Sequence, residues 1–323
     1  MSRTLNRRRL LEGSLALSAL AGCSRRPRPR PGSEPRVSIV KAGYDQDLPD
    51  KLRRLLADQE VEIRGKRVVL KPNLVEFDDG AAINTHPLLV LAALEAFRAL
   101  GASSVRIAEG PGHRRPTLEL AEAAGYYQTV PGFESIFTDL NLDEVSQVRP
   151  PRPAPGLDSL YLPATVLDCD LLVSLPKMKT HHWVGVTLGM KNLFGLVPGA
   201  VYGWPKNILH WSGIDECIVA VNSCVPRLFT IVDGIEGMQG NGPIQGHRKH
   251  AGVIVGGGDR VAVDATCCRI MGVDPGKIRY LRMAECCGQT EEANVRQSGE
   301  PIRAVRTPFD LMPRFRSIRL TNM

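Results

Sequence analysis

The sequence has no Cys-x-x-Cys, no Gly-x-Gly-x-x-Gly, no Gly-x-x-x-x-Gly-Lys-Ser/Thr, no Gly-x-Ser-x-Gly and no His-Glu-x-x-His. The first absence removes the local cysteine motif of a ferredoxin-type cluster. The next two leave no nucleotide motif, whether for a dinucleotide or a nucleoside triphosphate. The last two leave a nucleophile elbow and a helical zinc-protease site without candidates. Long apolar runs are also lacking: the stretch after Arg9 is broken by Glu12 and Gly13 and falls short of the ~20 residues a spanning helix needs.

Excess positive charge is missing from the body of the chain. The 323 residues carry a formal +7, but residues 1–36 hold nine Arg against Glu12 and Glu34, a balance of +7 by themselves. Residues 37–323 are therefore neutral, and no nucleic-acid partner is expected, because such a partner needs an excess of positive charge on the folded surface.

What is present begins with Asn6-Arg7-Arg8-Arg9-Leu10-Leu11, a stretch of Leu, Ala, Gly and Ser, and then Leu20-Ala21-Gly22-Cys23. This reads as a twin-arginine, lipoprotein-type signal over residues 1–23, with Cys23 as the lipidated residue. Glu12 departs from the basic residue usual at that place. Residues 24–36, with four Pro and four Arg between Arg25 and Pro35, read as an extended tether able to lie against anionic headgroups. The expected location is the bacterial cell envelope, facing the periplasm, with the membrane reached through Cys23. Export of a folded chain also raises the expectation of a metal or redox centre without naming one.

Apart from Cys23, the cysteines are Cys169, Cys217, Cys224, Cys267, Cys268, Cys286 and Cys287. Seven is an odd number, so at least one is free, liganded or paired externally. The adjacent pairs point their side chains in different directions in either a helix or a strand. A four-cysteine cluster would need distant segments.

The body alternates short apolar runs with helical patterns. Val37–Val40, Val68–Leu70, Val105–Ala108, Leu171–Leu175, Leu228–Val232 and Gly252–Val255 are apolar but for Ser38, Arg106, Ser174 and Thr230, without regular alternation, which predicts buried parallel strands. Pro87–Leu100 has helical spacing, with Pro87 at its start and Gly101 as its stop. The expected fold is α/β, a mainly parallel open sheet with helices on both faces. It forms one principal domain over residues 37–288, with an irregular insertion at about 126–165 and residues 289–323 as a weakly structured C-terminal tail.

In such sheets ligands bind beyond the carboxyl ends of the strands. Five runs end in polar or glycine residues: Lys71-Pro72-Asn73, Glu109-Gly110-Pro111-Gly112, Pro176 to His182, Asp233 to Gly237, and Gly256-Gly257-Gly258-Asp259. Turns alone explain the glycines. They explain less well the recurrence of Lys71, Glu109, Lys177, Lys179, Asp233 and Glu236.

These blocks carry a family resemblance. Lys71-Pro72-Asn73, Asn84-Thr85-His86-Pro87, Pro176 to His181, Thr187 to Gly195, Asp233-Gly234 with Gly240 to Pro243, and Val263-Asp264-Ala265 resemble the domain of unknown function 362 family over roughly Lys66 to Gly288. The resemblance implies no assigned reaction. Some members of that family carry cysteine motifs and are labelled iron-sulfur proteins, and this chain departs from those members.

Continued as a strand, Lys177, Lys179 and His181 share one face and His182 faces away. Two ammonium groups and an imidazole suit an anionic ligand or a proton transfer. The candidate catalytic residues are Lys177, Lys179, His181 and Asp233, with Asp233 opposite the lysines. Lys71, Asn73, Glu109, Lys191 and Asn192 are the candidate binding residues. His86, His182 and Glu236 are the candidate metal ligands, so the cofactor stays open between a metal ion, an iron-sulfur cluster and none. Trp183, Trp204 and Trp211 bracket the matched loop as a pocket wall or as core. The functional expectation is an exported, metal- or redox-linked enzyme for a small anionic substrate. The alternative is a non-catalytic envelope protein that binds an anionic ligand or a redox partner.

Overall fold

The computed structural model describes residues 34–112 and 116–321; the expected leader, Cys23 and the tether up to residue 33 lie outside them. The strands are β1 (Arg36–Lys41), β2 (Arg67–Pro72), β3 (Ser104–Glu109), β4 (Phe137–Asp139), β5 (Val145–Val148), β6 (Leu160–Pro163), β7 (Leu171–Leu175), β8 (Lys177–His181), β9 (Gly185–Thr187), β10 (Leu228–Asn241), β11 (Gln245–Gly257) and β12 (Arg296–Gly299). The main sheet runs β12-β1-β11-β10-β7-β2-β3-β4, with β8 paired to β10 and β9 to β8. β5 and β6 form a separate antiparallel pair.

All six expected runs are strands, and their largely apolar character comes from cover on both faces, with Arg106 on β3 left exposed. Val68, Leu70, Val173, Leu175 and Ile231 join the core under helices α1 (Leu48–Asp58) and α2 (Pro87–Ala99). Their neighbours Val69, Leu172 and Val232 point the other way, into the core that holds the helices Ile214–Ser223 and Arg260–Ile270. Pro87 opens α2, and Gly101 follows its end at φ +85°, a left-handed position that stops a helix.

From β10 through β7, β2 and β3 to β4 the pairing is parallel. The run Gly252–Val255 departs from the expectation, because β11 is antiparallel to both β10 and β1. Only a short turn separates β10 from β11, and a parallel return needs a long crossover. Gly256-Gly257-Gly258-Asp259 therefore lies at the opposite edge from the other four strand ends. There Asp259 caps the helix Arg260–Ile270, accepting from Val261 N at 2.9 Å and Ala262 N at 3.0 Å.

The stretch expected as an irregular insertion supplies the edge strand β4 as well as the β5-β6 pair. Residues after 289, expected as a weakly structured tail, are tied in. β12 pairs in parallel with β1, and Phe309 and Ile318 are buried in the core. The pairing covers an edge that β1 would otherwise leave open. No helix among the described residues is long and apolar enough to cross a membrane.

Candidate functional site

The ends of β2, β3 and β7, with β8 and the middle of β10, bring five charged side chains into the interior: Lys71, Glu109, Lys177, Lys179 and Asp233 are all buried. A buried charge is costly unless paired or hydrogen-bonded, so the partners decide what each residue can do.

Lys71 at the end of β2 is locked to Glu109 at the end of β3, Nζ to Oε2 at 2.6 Å, with neither side chain more than 1% exposed. Asn192 joins them: its Oδ1 lies 3.4 Å from Lys71 Nζ, and its Nδ2 donates to Ser174 Oγ at 3.0 Å. Burial pushes the Lys71 pKa down and the Glu109 pKa up, and their mutual attraction opposes both shifts. Gly195 packs directly on the pair: a Cβ there would run into Glu109 Oε1 and stand 2.6 Å from Lys71 Nζ.

Lys177 and Asp233 form a second locked pair, Nζ to Oδ2 at 2.7 Å. Tyr44 OH donates to Asp233 Oδ1 at 2.8 Å and accepts from Lys177 Nζ at 3.0 Å, while His86 N donates to Oδ2 at 2.9 Å. The His86 ring stacks on Tyr44 at 3.8 Å. Burial, then the Asp233 charge, raises the Tyr44 pKa and keeps its proton in place. This network borders a cavity of about 280 Å³ lined by Tyr44, His86, Lys177, Glu236 and Arg248, among others.

Lys179 and His181 border a different cavity, of about 250 Å³. Lys179 is fully buried, yet its Nζ donates only to backbone, to Ile83 O at 2.8 Å and Pro243 O at 3.3 Å. Burial, then the charges of Lys177 and Lys191, hold its pKa well below the ordinary lysine value. Lys191 Nζ sits 3.8 Å over the Phe194 ring, and burial followed by the Lys71 charge pushes its pKa down to about 7. Lys206, in a left-handed backbone conformation at φ +64°, donates to Gly110 O at 2.5 Å and is likewise pushed by burial to about 7. None of these three lysines is paired with a carboxylate among the described residues.

The remaining wall is neutral. His181 Nδ1 accepts from Trp183 N at 3.0 Å, which leaves the ring proton on Nε2, and burial lowers its pKa well below the ordinary value. Burial, then Lys191, pushes His210 to about 4. Asn73 Oδ1, Thr187 Oγ1 and His210 Nδ1 are buried without a hydrogen-bond partner, and all three residues line this cavity. Buried polar atoms are normally satisfied, so three orphans in one cavity mark a place for polar ligand atoms or water.

The matched block Val263-Asp264-Ala265 acts through position. Asp264, fully buried, accepts from Gly189 N at 2.7 Å and Met190 N at 3.0 Å, fixing the short helix Gly189–Asn192 that presents Lys191 and Asn192. Burial raises its pKa to about 7 against those two hydrogen bonds.

The candidates thus divide. Lys179 and His181 face the first cavity with Asn73, Glu109, Lys191 and Asn192. Lys71 pairs with Glu109 and does not line it. Lys177 lines the second cavity, and Asp233 is its counter-ion, not a group facing the lysines across a ligand. The irregular pairing of β10 with β8, Asp233 to Lys177 but Met238 to Lys179, separates residues that an even strand would hold together. The metal candidates are not assembled: His182 lines the first cavity with Nδ1 at 2.8 Å from Gly242 O, while His86 lines the second with Glu236, which pairs with His250 at 2.6 Å. Among the described residues no group of three or more His, Cys, Asp or Glu is placed to hold a metal ion.

The cysteines give one further correction. Cys267 and Cys268 are buried in the core, but Cys286 and Cys287 bring their Sγ atoms within 3.6 Å, because they occupy a turn that is neither helical nor extended. Trp183 is half exposed and lines the first cavity, while Trp204 and Trp211 are on the surface. Tyr44, Thr187, Lys206 and His210 were not among the expected site residues. Tyr44 had a usable signal, since it follows β1, whose carboxyl end lies on the same edge.

The family described as Domain of unknown function (DUF362) matches residues 68–269. A thylakoid-associated protein of Synechocystis sp. is 29% identical over 235 residues, which cover 69% of this chain and 68% of that protein. Among solved structures, the lactate racemase apoprotein of Thermoanaerobacterium thermosaccharolyticum aligns with a TM-score of 0.45 at 15% identity, over 74% of this chain. The chain spans 57% of that protein's length.

Proposed function

The chain belongs to the Domain of unknown function (DUF362) family, and from that premise we propose that it binds a small organic anion in the first cavity and moves a proton on it. The carrying observation is that Lys179 and Lys191 line one cavity with no carboxylate partner among the described residues, beside three unpartnered polar atoms. Such cations are poised for an anion. Lys179, held in place by two carbonyls, is the positioned donor to the anion. Lys191, with a pKa of about 7, exchanges a proton near neutrality. His181 offers its Nε2 proton as a neutral donor.

The proposal places the protein in the bacterial envelope, exported by the twin-arginine route and anchored at Cys23. The support is the pattern from Asn6 to Cys23; the similar protein named as thylakoid-associated bears on membrane association at most, not on the route or the lipid. Replacing Cys23→Ser should abolish incorporation of labelled fatty acid and release the protein from the membrane fraction; unchanged labelling would sink the anchor.

The anion site is tested by thermal unfolding with a panel of carboxylates and phosphates, which should raise Tm through binding to the folded state. Lys179→Met should remove that shift. Proton transfer is read by exchange of a carbon-bound ligand proton in D2O, followed by NMR. Binding without exchange would favour a non-catalytic anion-binding protein, the reading that the enclosed, locked neighbours of the cavity also fit.

A further inference from the structure

The first cavity has a charge balance and a shape that narrow its ligand, given that it binds an anion as proposed above. Three lysine side chains line it: Lys179, Lys191 and Lys206. Among the described residues the one carboxylate in its wall is Glu109, which Lys71 already neutralises at 2.6 Å. His181 and His210 are held neutral by burial. The other charged groups in electrostatic reach are Lys177 and Asp139, and His182 lies beside His181. When all three are protonated, a monoanion would leave two cations uncompensated in the cavity, at a cost. A dianion would leave one, and Lys206 is the one already held by a backbone carbonyl, Gly110 O at 2.5 Å.

Shape adds a second constraint. Rings line one side in sequence: His182 and Trp183 at 4.7 Å, Trp183 and His210 at 4.9 Å, Phe194 and His210 at 5.9 Å. Leu74, Val75, Leu209 and Ile244 continue the apolar wall. Inorganic phosphate or a short dicarboxylate would fill the lysine end and leave these rings against water. A flat apolar body would cover them, with edge or face contacts to the aromatic side chains.

We propose that the ligand is a dianion carried on a flat, apolar body, of the class of an aryl phosphate or an aryl dicarboxylate. Both sources present two negative charges to Lys179 and Lys191 and a ring to Trp183, Phe194 and His210. Lys191 and Lys206 are partly deprotonated above neutrality, so an arriving dianion draws protons onto them.

Calorimetric titration of the full-length protein at pH 8 tests this with phenyl phosphate, phthalate, inorganic phosphate and benzoate, in two buffers of different ionisation enthalpy. At that pH the phosphate monoester carries about two charges. Phenyl phosphate or phthalate should bind at least about tenfold more tightly than either phosphate or benzoate, with proton uptake. Whichever of the two binds better identifies the source. Lys191→Met should weaken the dianion at least about tenfold and benzoate by less than about threefold, and should reduce the proton uptake. Lys206→Met repeats the test if the first variant fails to fold.

Benzoate binding as tightly as phenyl phosphate would overturn the dianion while leaving the anion site standing. Phosphate binding as tightly as phenyl phosphate would overturn the apolar body. No binding by any of the four would overturn this inference and the underlying anion-site reading together.

Discussion

Two sets of lysines lie within one sheet edge and behave oppositely. Lys71 and Lys177 each meet a carboxylate, at 2.6 and 2.7 Å, inside networks that also use Asn192 and Tyr44. Lys179, Lys191 and Lys206 have carbonyls or a ring instead. All are in or near the interior, so burial does not distinguish them; completeness does. The satisfied pairs rigidify the strand ends, and their removal leaves a charge stranded. The incomplete lysines hold the capacity that a ligand can use.

That contrast breaks most sharply at Asp233. Asp233→Ala strands Lys177 and Tyr44 and should cost about 3–5 kcal/mol by denaturant unfolding; a loss below about 1 kcal/mol would erase the distinction between the sets. Gly195→Ala should come next, at about 1–3 kcal/mol, by driving a methyl group into the Lys71-Glu109 pair. Lys179→Met should leave stability within about 1 kcal/mol of the parent, since relief of the buried charge offsets two released carbonyls, while anion binding is lost.

The mildest test is pH. Lys191 and Lys206 have folded pKa values near 7 against an ordinary 10.5. Between those values the folded state holds fewer protons than the unfolded one, so the ligand-free protein should gain stability as pH rises from about 7 to 9. Asp264 acts in the other direction and lower: its pKa, raised to about 7 from 3.8, makes stability fall as pH climbs through that interval. Lys191→Met should flatten the upper slope in a Tm-against-pH series and leave the lower one; an unchanged upper slope would mean Lys191 is charged when folded.

Much of the sheet was legible because strands buried on both faces are largely apolar, as all six runs are apart from Ser38, Arg106, Ser174 and Thr230. Direction was not legible for Gly252–Val255, because apolar character carries no polarity of pairing; it is set by the turn between Asn241 and Gln245, which only the assembled strands show to be short. Within the site, Lys179, His181, Lys191 and Asn192 were readable from strand ends and the matched blocks. Lys71 and Asp233 were readable as residues but not as closed pairs, since pairing depends on neighbours far away in sequence. Lys206 and His210 come from a stretch without periodicity, where an unusual backbone angle aims the lysine, and only the assembled cavity shows them.

The orientation of β1 has a consequence for access. β1 is antiparallel to β11, which is antiparallel to β10, so β1 and β10 run the same way and Arg36 enters at the edge away from the cavities. Whatever holds the N-terminus pulls on the far side of the molecule. Anything joined ahead of Arg36 therefore meets the sheet at the edge opposite the two cavities, so that a pull or a tag there acts at a distance from the ligand.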